Sequence, residues 1–465
     1  MEQDKNNRGE RLSVREKLGF GVFDLGGNMM FSVMGFWCLH YLTDIAGLTA
    51  ALAGFALMIG KVWDAVTDPA MGLISDRTKT PLGRRRPYLL AGAIPMGLSF
   101  WFFFTVPNIS SQAALAAWAA LALILFNTFS TVLNVPYSSL TPELTADYHE
   151  QTSLNGFRFG FAVFGTIIGA AAIQPLAGLF SSPRQGYSMT GLILGGIVTV
   201  TSLLTFFGTK EKKPAGTDLP PEKFLKTYQA VFTNRPFIIL VTTYMLHLTA
   251  LTLLQGIIIY YTKYIYNNEA IATPAMALLL VVAMVFIPVS VLTAKKIGKR
   301  AVYQICFIIL SIATVAIFFL GHALGIRFFF AVMVFAGIGV GFNYVAPFAM
   351  VPDTIAYDEL RTGSRREGSY YGIWTFFSKI GSSLALLLSG LILQAGGYIA
   401  DAVQSESALF AIRLIIGPVP AAIFICAAFL MRLYPLDEKA CRKMAEEKIL
   451  PSMSLRAASR EVSGT

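Results

Sequence analysis

Lys61, Asp64 and Asp68 stand in a run from Ala50 to Ile74 that is otherwise apolar enough to cross a bilayer, and Pro69 follows the last of them. A charged side chain at the centre of a spanning helix costs roughly 2.5–3.5 kcal/mol on insertion scales, so such groups face a protein interior or a water-filled path. The i,i+3 and i,i+4 spacings put all three on one helical face. Two carboxylates one turn apart are the hard oxygen ligands a small cation prefers, and without a cation their repulsion leaves one of them holding a proton. Pro69 has no N–H for the carbonyl of Ala65, which frees a main-chain oxygen next to Asp64. The pattern is that of a site for Na+, Li+ or H+. A purely structural pair of Lys61 with one Asp leaves the other carboxylate unexplained.

Further polar groups are buried in apolar runs. Asn127, Thr128, Ser130, Thr131 and Asn134 crowd one end of the fourth run, and Thr131 and Asn134, at i,i+3, offer neutral oxygens on one face. Singly, such side chains more commonly hydrogen-bond between helices. Asp24 and Asn28 are i,i+4 among Gly19, Gly21, Gly26, Gly27 and Gly35, glycines that predict close helix approach; Asp24 either lines a polar cavity or caps the helix. Arg158 begins the fifth run, as a cavity group or as a basic anchor. Lys379 lies ten residues into the run that starts at Tyr370, too deep to reach water easily, and is expected to face a cavity and pair with a carboxylate. Trp63 and Trp374 either stack on a ring-shaped solute or pack, and His247 is either a polar contact or satisfied by a neighbouring helix.

The elements that carry these residues follow from composition. With 465 residues, 55% hydrophobic and only 14% charged, and a mean hydropathy of +0.60, the chain is polytopic in the membrane. Twelve apolar segments are predicted at roughly 18–44, 51–75, 87–106, 113–137, 157–180, 188–208, 236–262, 272–294, 301–321, 326–348, 370–393 and 408–432, each near the ~20 residues a spanning helix needs. The net charge of +10 does not indicate nucleic acid, because the basic residues alternate by loop. All but six of the 37 Lys and Arg fall in the termini and every second loop; Arg184, Lys263, Arg327 and Arg413 are opposite, and Lys61 and Lys379 are inside. By the positive-inside rule both termini are cytoplasmic, in a multi-pass protein of the cell (inner or plasma) membrane. Residues 1–17 carry no cleavable signal pattern, and the four cysteines show neither metal-ligand spacing nor a pair.

The chain echoes itself. A polar loop at 209–235 separates a bundle at 18–208 from a second at 236–432, with a tail at 433–465. Asn134-Val135-Pro136-Tyr137 leading to Pro142-Glu143 has a counterpart in Val345-Ala346-Pro347-Phe348 leading to Pro352-Asp353, offset by about 210 residues. Pro69 with Gly83-Arg84-Arg85-Arg86 is matched by Pro288 with Gly298-Lys299-Arg300. A six-helix unit repeated in one orientation is the parallel-repeat plan of major facilitator transporters.

The chain resembles the glycoside–pentoside–hexuronide:cation symporter family (melibiose-permease-like) of that superfamily. The resemblance rests on Gly19-Phe20-Gly21 with Tyr41-Leu42-Thr43-Asp44; on Lys61 to Pro69 through Arg84-Arg85-Arg86-Pro87; on Asn134 to Tyr137 through Leu154 to Arg158; and on Val351-Pro352-Asp353 through Arg366-Glu367-Gly368 to Lys379-Ile380-Gly381. It implies an all-α fold of twelve transmembrane helices in two six-helix pseudo-symmetric bundles. It also implies that a symporter couples entry of a sugar or glycoside to Na+ or H+ by alternating access, acting as a monomer with no other cofactor and no enzymatic activity. The implied cation ligands are Asp64, Asp68, Thr131 and Asn134, with Lys61 in their charge network. Substrate contacts would be Asp24, Asn28, Arg158, Thr375 and Lys379. The cytoplasmic gates would be the loops after helices 2, 4, 8 and 10, with Arg84, Arg85, Arg86, Glu143, Asp147, Asp353, Arg365 and Arg366. The family pattern has an Asp at Asn134 and an aromatic at Ser138, which removes one ligand charge and moves weight from Na+ toward H+. Its helix-1 sugar-contacting Asp falls on Asn28 counted back from Asp44, and near Gly26 counted forward from Gly19. The rival cargo is a lysolipid or other amphipathic solute; a membrane enzyme would need a catalytic loop or Cys/His/Asp cluster.

Overall fold

The structure, a computed structural model, describes residues 12–145, 148–211, 231–343, 346–363, 366–437, 440, 441 and 444. Asp147 and Arg365, two of the expected gate residues, lie outside them. Among the described residues the chain is helical with no strand. The spans are α1 (Val14–Phe36), α2 (Ala50–Arg77), α3 (Arg86–Phe103), α4 (Gln112–Leu144), α5 (Tyr148–Ala171), α6 (Pro183–Gly208), α7 (Arg235–Ile265) and α8 (Ala272–Ile297). A continuous stretch Lys299–Asn343 is broken only at Gly325 (φ 70°, ψ −164°) into α9 (residues 299–324) and α10 (residues 326–343), and helix resumes over Ala346–Thr362. The last two are α11 (Glu367–Ala395) and α12 (Glu406–Ile416 with Pro418–Arg432). The helix starts are set locally: the hydroxyls of Ser13, Ser111 and Ser182 accept the N–H groups of Glu16, Ala114 and Gln185.

Besides the fifth helix, which starts at Tyr148 and stops at Ala171 with a short helix Ile173–Ala177 after it where one span over 157–180 is expected, two departures from the sequence expectation bear on the site. The first segment, expected as one span over 18–44, bends by 56° at Trp37 and continues through Cys38–Ile45, the last five residues in a widened π turn. The Trp37 indole donates to the Ala170 carbonyl at 3.0 Å, and the wider turn presents Thr43 and Asp44 to buried partners. The fourth helix runs to Leu144, past the apolar limit near 137. Its polar end is satisfied from within: Ser138 and Ser139 return hydroxyl bonds to the carbonyls of Asn134 and Val135 at 2.9–3.0 Å.

The chain divides into two compact units. The first holds Met1–Asp218, Leu251–Ala277 and Ser382–Ile416, and so joins parts of α7, α8, α11 and α12 to the first six helices; the second holds Leu219–Ala250, Leu278–Gly381 and Gly417–Thr465. The helix-1 glycines serve close approach as expected: a Cβ at Gly19 would stand 2.9 Å from the Cα of Gly208 on α6. Large apolar side chains such as Phe207, Val285, Leu292, Phe319 and Phe429 are exposed. Water penalises that arrangement and hydrocarbon does not.

Candidate cation and substrate site

Helices α2 and α4 bring Asp64, Asp68 and Thr131 together. The Thr131 hydroxyl lies 3.1 Å from Asp64 Oδ1 and 2.8 Å from Asp68 Oδ1, with Thr131 only 3% exposed. Thr67 adds a fourth oxygen, its hydroxyl 3.3 Å from that of Thr131 and back-bonded to the Trp63 and Asp64 carbonyls. One hydroxyl proton serves one carboxylate at a time, and two carboxylates that share it also repel each other. A small cation or a proton on one of them offsets that repulsion. The Lys61 ammonium lies 5.3 Å from the centroid of Phe31 on α1, against an aromatic face. Asn134 sits one turn beyond Thr131, exposed, and donates to the Ser130 carbonyl at 3.0 Å and hydroxyl at 3.1 Å; its amide oxygen is the part turned toward Gly27 of α1. Trp63 is half open, its indole donating to Thr128 at 2.9 Å.

Asp24 and Arg158 form a second centre in the same unit. Arg158 Nε donates to Asp24 Oδ2 at 2.7 Å and Nη2 to Oδ1 at 3.5 Å, while the Tyr137 hydroxyl also donates to Asp24 Oδ2. The guanidinium stacks 4.7 Å over the Tyr137 ring, and its Nη1 reaches Thr141 at 3.3 Å. Asp24 is therefore an ion-pair partner inside α1 and not a helix cap, and Arg158 is held by Asp24 instead of serving as a bare anchor. Asn28 donates to the Asp24 carbonyl at 2.9 Å. Tyr137, quoted above only as part of a repeated motif, is the residue that orients this pair. In the second unit Thr375 and Lys379 ride on α11. His247, fully buried, meets the Tyr303 hydroxyl through Nδ1 at 3.0 Å and is ringed by aromatic side chains, while its Nε2 finds no partner among the described residues; Trp374 stacks on Tyr244 with centroids 4.0 Å apart and belongs to packing.

The basic loops pair within each unit, and the two pairs repeat. After α2, Arg84 Nη2 and Arg85 Nε donate to Glu143 Oε1 at 2.9 and 3.3 Å, and Arg85 also reaches Asp76 and Ser75. After α8, Lys299 donates to Asp353 at 2.7 and 2.9 Å and to the Ala349 carbonyl at 2.8 Å. Each loop turns on a glycine at positive φ, Gly83 at 104° and Gly298 at 87°. Arg86 donates to the Phe206 carbonyl at 2.9 Å, and Arg366 to Asp358 at 3.2 Å. Sequence reasoning missed Glu211, whose carboxylate accepts the backbone N–H groups of Arg84, Arg85 and Arg86.

It also missed a cluster at the opposite end of the first unit. The Asp44 carboxylate, fully buried, accepts from Lys263 at 2.7 Å, Tyr264 at 3.1 Å, Tyr398 at 2.7 Å and Thr43 at 2.6 Å. Lys263 continues to Asp401 at 2.6 Å, and His40 stands 3.5 Å from Asp44 and 3.4 Å from Glu269. The one available signal was the Tyr41–Asp44 motif, which names the acid and not its partners.

Among the described residues nine helices are long and apolar enough to cross a membrane, ten with the bent first pair, and together with the charged pairs between helices they point to a multi-pass membrane protein. The chain belongs to the MFS/sugar transport protein family, whose profile matches residues 19–438. A protein of Escherichia coli strain K12 assigned as a sulfoquinovose importer is 31% identical, over 96% of this chain and 95% of its own. The isoprimeverose transporter of Lactiplantibacillus pentosus is 27% identical over 94% and 90%. The sodium-dependent lysophosphatidylcholine symporter 1-A of Danio rerio is 26% identical over 94% and 88%. Among solved structures, a D-xylose-proton symporter is similar with a TM-score of 0.69 at 13% identity, over 92% of this chain and 98% of that one, which shows the major facilitator fold.

Proposed function

We propose that the chain is a symporter that couples entry of a sugar or glycoside to Na+ or H+ by alternating access. The observation that carries it is the Thr131 hydroxyl between Asp64 and Asp68, an arrangement of hard oxygens that calls for a cation. In this reading Asp64, Asp68 and Thr131, with Thr67, hold the cation, Asn134 adds its amide oxygen from the next turn, and Lys61 belongs to the charge network. Asp24, Asn28, Arg158, Thr375 and Lys379 are the proposed sugar contacts, because carboxylate, amide, guanidinium, hydroxyl and ammonium groups match sugar hydroxyls. The basic loops face the cytoplasm, both termini with them, and their charge pairs act as gates while the Asp44 cluster closes the far end. The monomer is the working unit, in the cell membrane. Relatives assigned to sulfoquinovose and isoprimeverose favour a sugar; the lysophosphatidylcholine relative supports a second reading, an amphipathic cargo.

The deciding experiment is uptake of a labelled glycoside and pentoside panel, with a lysophospholipid arm, into vesicles under an imposed Na+ or H+ gradient. Concentrative uptake of a saccharide under one gradient is expected. Uptake of the lysolipid alone would replace the cargo, and uptake indifferent to either gradient would remove the coupling.

A further inference from the structure

Glu211 lies three residues beyond α6, and its carboxylate sits on the start of α3. Oε1 accepts the Arg84 N–H at 2.6 Å, and Oε2 accepts those of Arg85 and Arg86 at 3.0 and 3.4 Å. Such N–H groups have no partner within their own helix, and the helix dipole adds positive potential there. Gly83 makes the room: a Cβ at that position would stand 2.1 Å from Glu211 Oε2.

Against this carboxylate lies a second one. The Glu143 carboxyl is within hydrogen-bond reach of Glu211. Glu143 Oε1 takes Arg84 and Arg85, whereas Oε2 is buried and receives no donor from the described residues. Two acids in contact, with one buried oxygen unserved, are short of one proton. A hydrogen on Glu143 Oε2 that donates to Glu211 relieves the repulsion and the unmet bond together. We propose that Glu143 and Glu211 form a proton-binding pair, separate from Asp64 and Asp68, that fastens the start of the central loop to the N-terminus of α3.

The charged groups around the pair are Arg84 and Arg85 on the loop, Arg86 in the first turn of α3, and Asp76 at the end of α2, reached through Arg85. Both glutamates lie beyond the apolar spans, which end at Thr141 and Gly208. Burial, with the neighbouring Glu211 charge, raises the Glu143 carboxyl above the ordinary range. For Glu211 burial works upward as well, but the bond from Glu143 and the three backbone N–H groups outweigh it and hold this carboxyl below its ordinary range. The sign follows from linkage. The raised group favours the fastened state while it keeps its proton, so the latch loosens as pH rises through the raised value; protonation of Glu211 releases it in strong acid.

The test is amide hydrogen exchange at Arg84, Arg85 and Arg86 in the full chain in lipid nanodiscs, over a pH series that starts at the ordinary glutamate range and runs upward, corrected for intrinsic exchange. Protection in the wild type is expected to be high while Glu143 keeps its proton and to fall measurably as pH rises through its raised value. In Glu143→Gln, whose amide donates permanently, protection should stay high and flat; in Glu211→Ala it should be lost at every pH. A flat wild-type profile, a Glu143→Gln profile that follows the wild type, or protected amides in Glu211→Ala each overturn the proposal. Should Glu211→Ala fail to fold, the wild type and Glu143→Gln still decide. None of these outcomes depends on the cargo, so failure here leaves the symporter reading standing.

Discussion

Thr131 contributes one hydroxyl to two acids, and its removal is the smallest change that probes the cation site. Hydrogen bonds to charged groups are worth about 1.5–3 kcal/mol, so Thr131→Ala is expected to raise the half-saturating cation concentration about tenfold to a hundredfold. Thr131→Ser should restore most of it, and cation-dependent uptake kinetics check both. At the Asp24–Arg158 pair, Arg158→Lys keeps the charge but loses the two-pronged contact and the stack on Tyr137. A several-fold weaker sugar affinity with normal membrane insertion is expected, measured by binding of the transported saccharide. The shared face of Asp64 and Asp68 was legible in the sequence because a helical repeat fixes which neighbours lie together, whereas Thr131, 63 residues on from Asp68, was joined to them only by the family resemblance. Tyr137, Glu211 and Asp44 were not legible, because each finds its meaning in partners that lie far away along the chain, and no local spacing encodes those.

At the scale of elements, twelve apolar segments were legible because hydrocarbon leaves the backbone no alternative to helix. The bend of α1 at Trp37 was not, since the residues on both sides are equally apolar; it is set by an indole that reaches Ala170 on α5. The widened turn that follows places Asp44 among Lys263, Tyr264 and Tyr398, and so ties α1 to the end of α7 and to the stretch after α11. Asp44→Ala removes the acceptor that Lys263, Tyr264, Tyr398 and Thr43 share and leaves Lys263 only its outer carboxylates, Asp401 and Glu269; loss of a buried charge pair costs up to about 3–5 kcal/mol. A lowered thermal midpoint in detergent is expected, with part of the loss recovered by the double variant Asp44→Leu/Lys263→Met, in which neither charge remains. A midpoint equal to that of the wild type in Asp44→Ala would show that the cluster holds nothing.

For the whole molecule, the repeat visible in the sequence returns as geometry: a glycine at positive φ, a cation and an acid in each unit, Gly83 with Arg84 and Glu143, and Gly298 with Lys299 and Asp353. The Asp64–Asp68 pair has no such counterpart. Helix α8 repeats Pro69 as Pro288 but carries no charge at the positions of Lys61, Asp64 and Asp68. On the proposed reading, the chain keeps a repeated frame for gating and a one-sided centre for coupling. A cation that tightens sugar binding must be tightened by the sugar to the same factor, which paired titrations can check. The most direct measurement is accumulation of the transported saccharide in vesicles under the coupling gradient, comparing the wild type with Asp64→Asn and Asp68→Asn inserted at equal levels. Coupling through these acids predicts accumulation above equilibrium in the wild type and none in either variant; full concentrative uptake by either variant would contradict it.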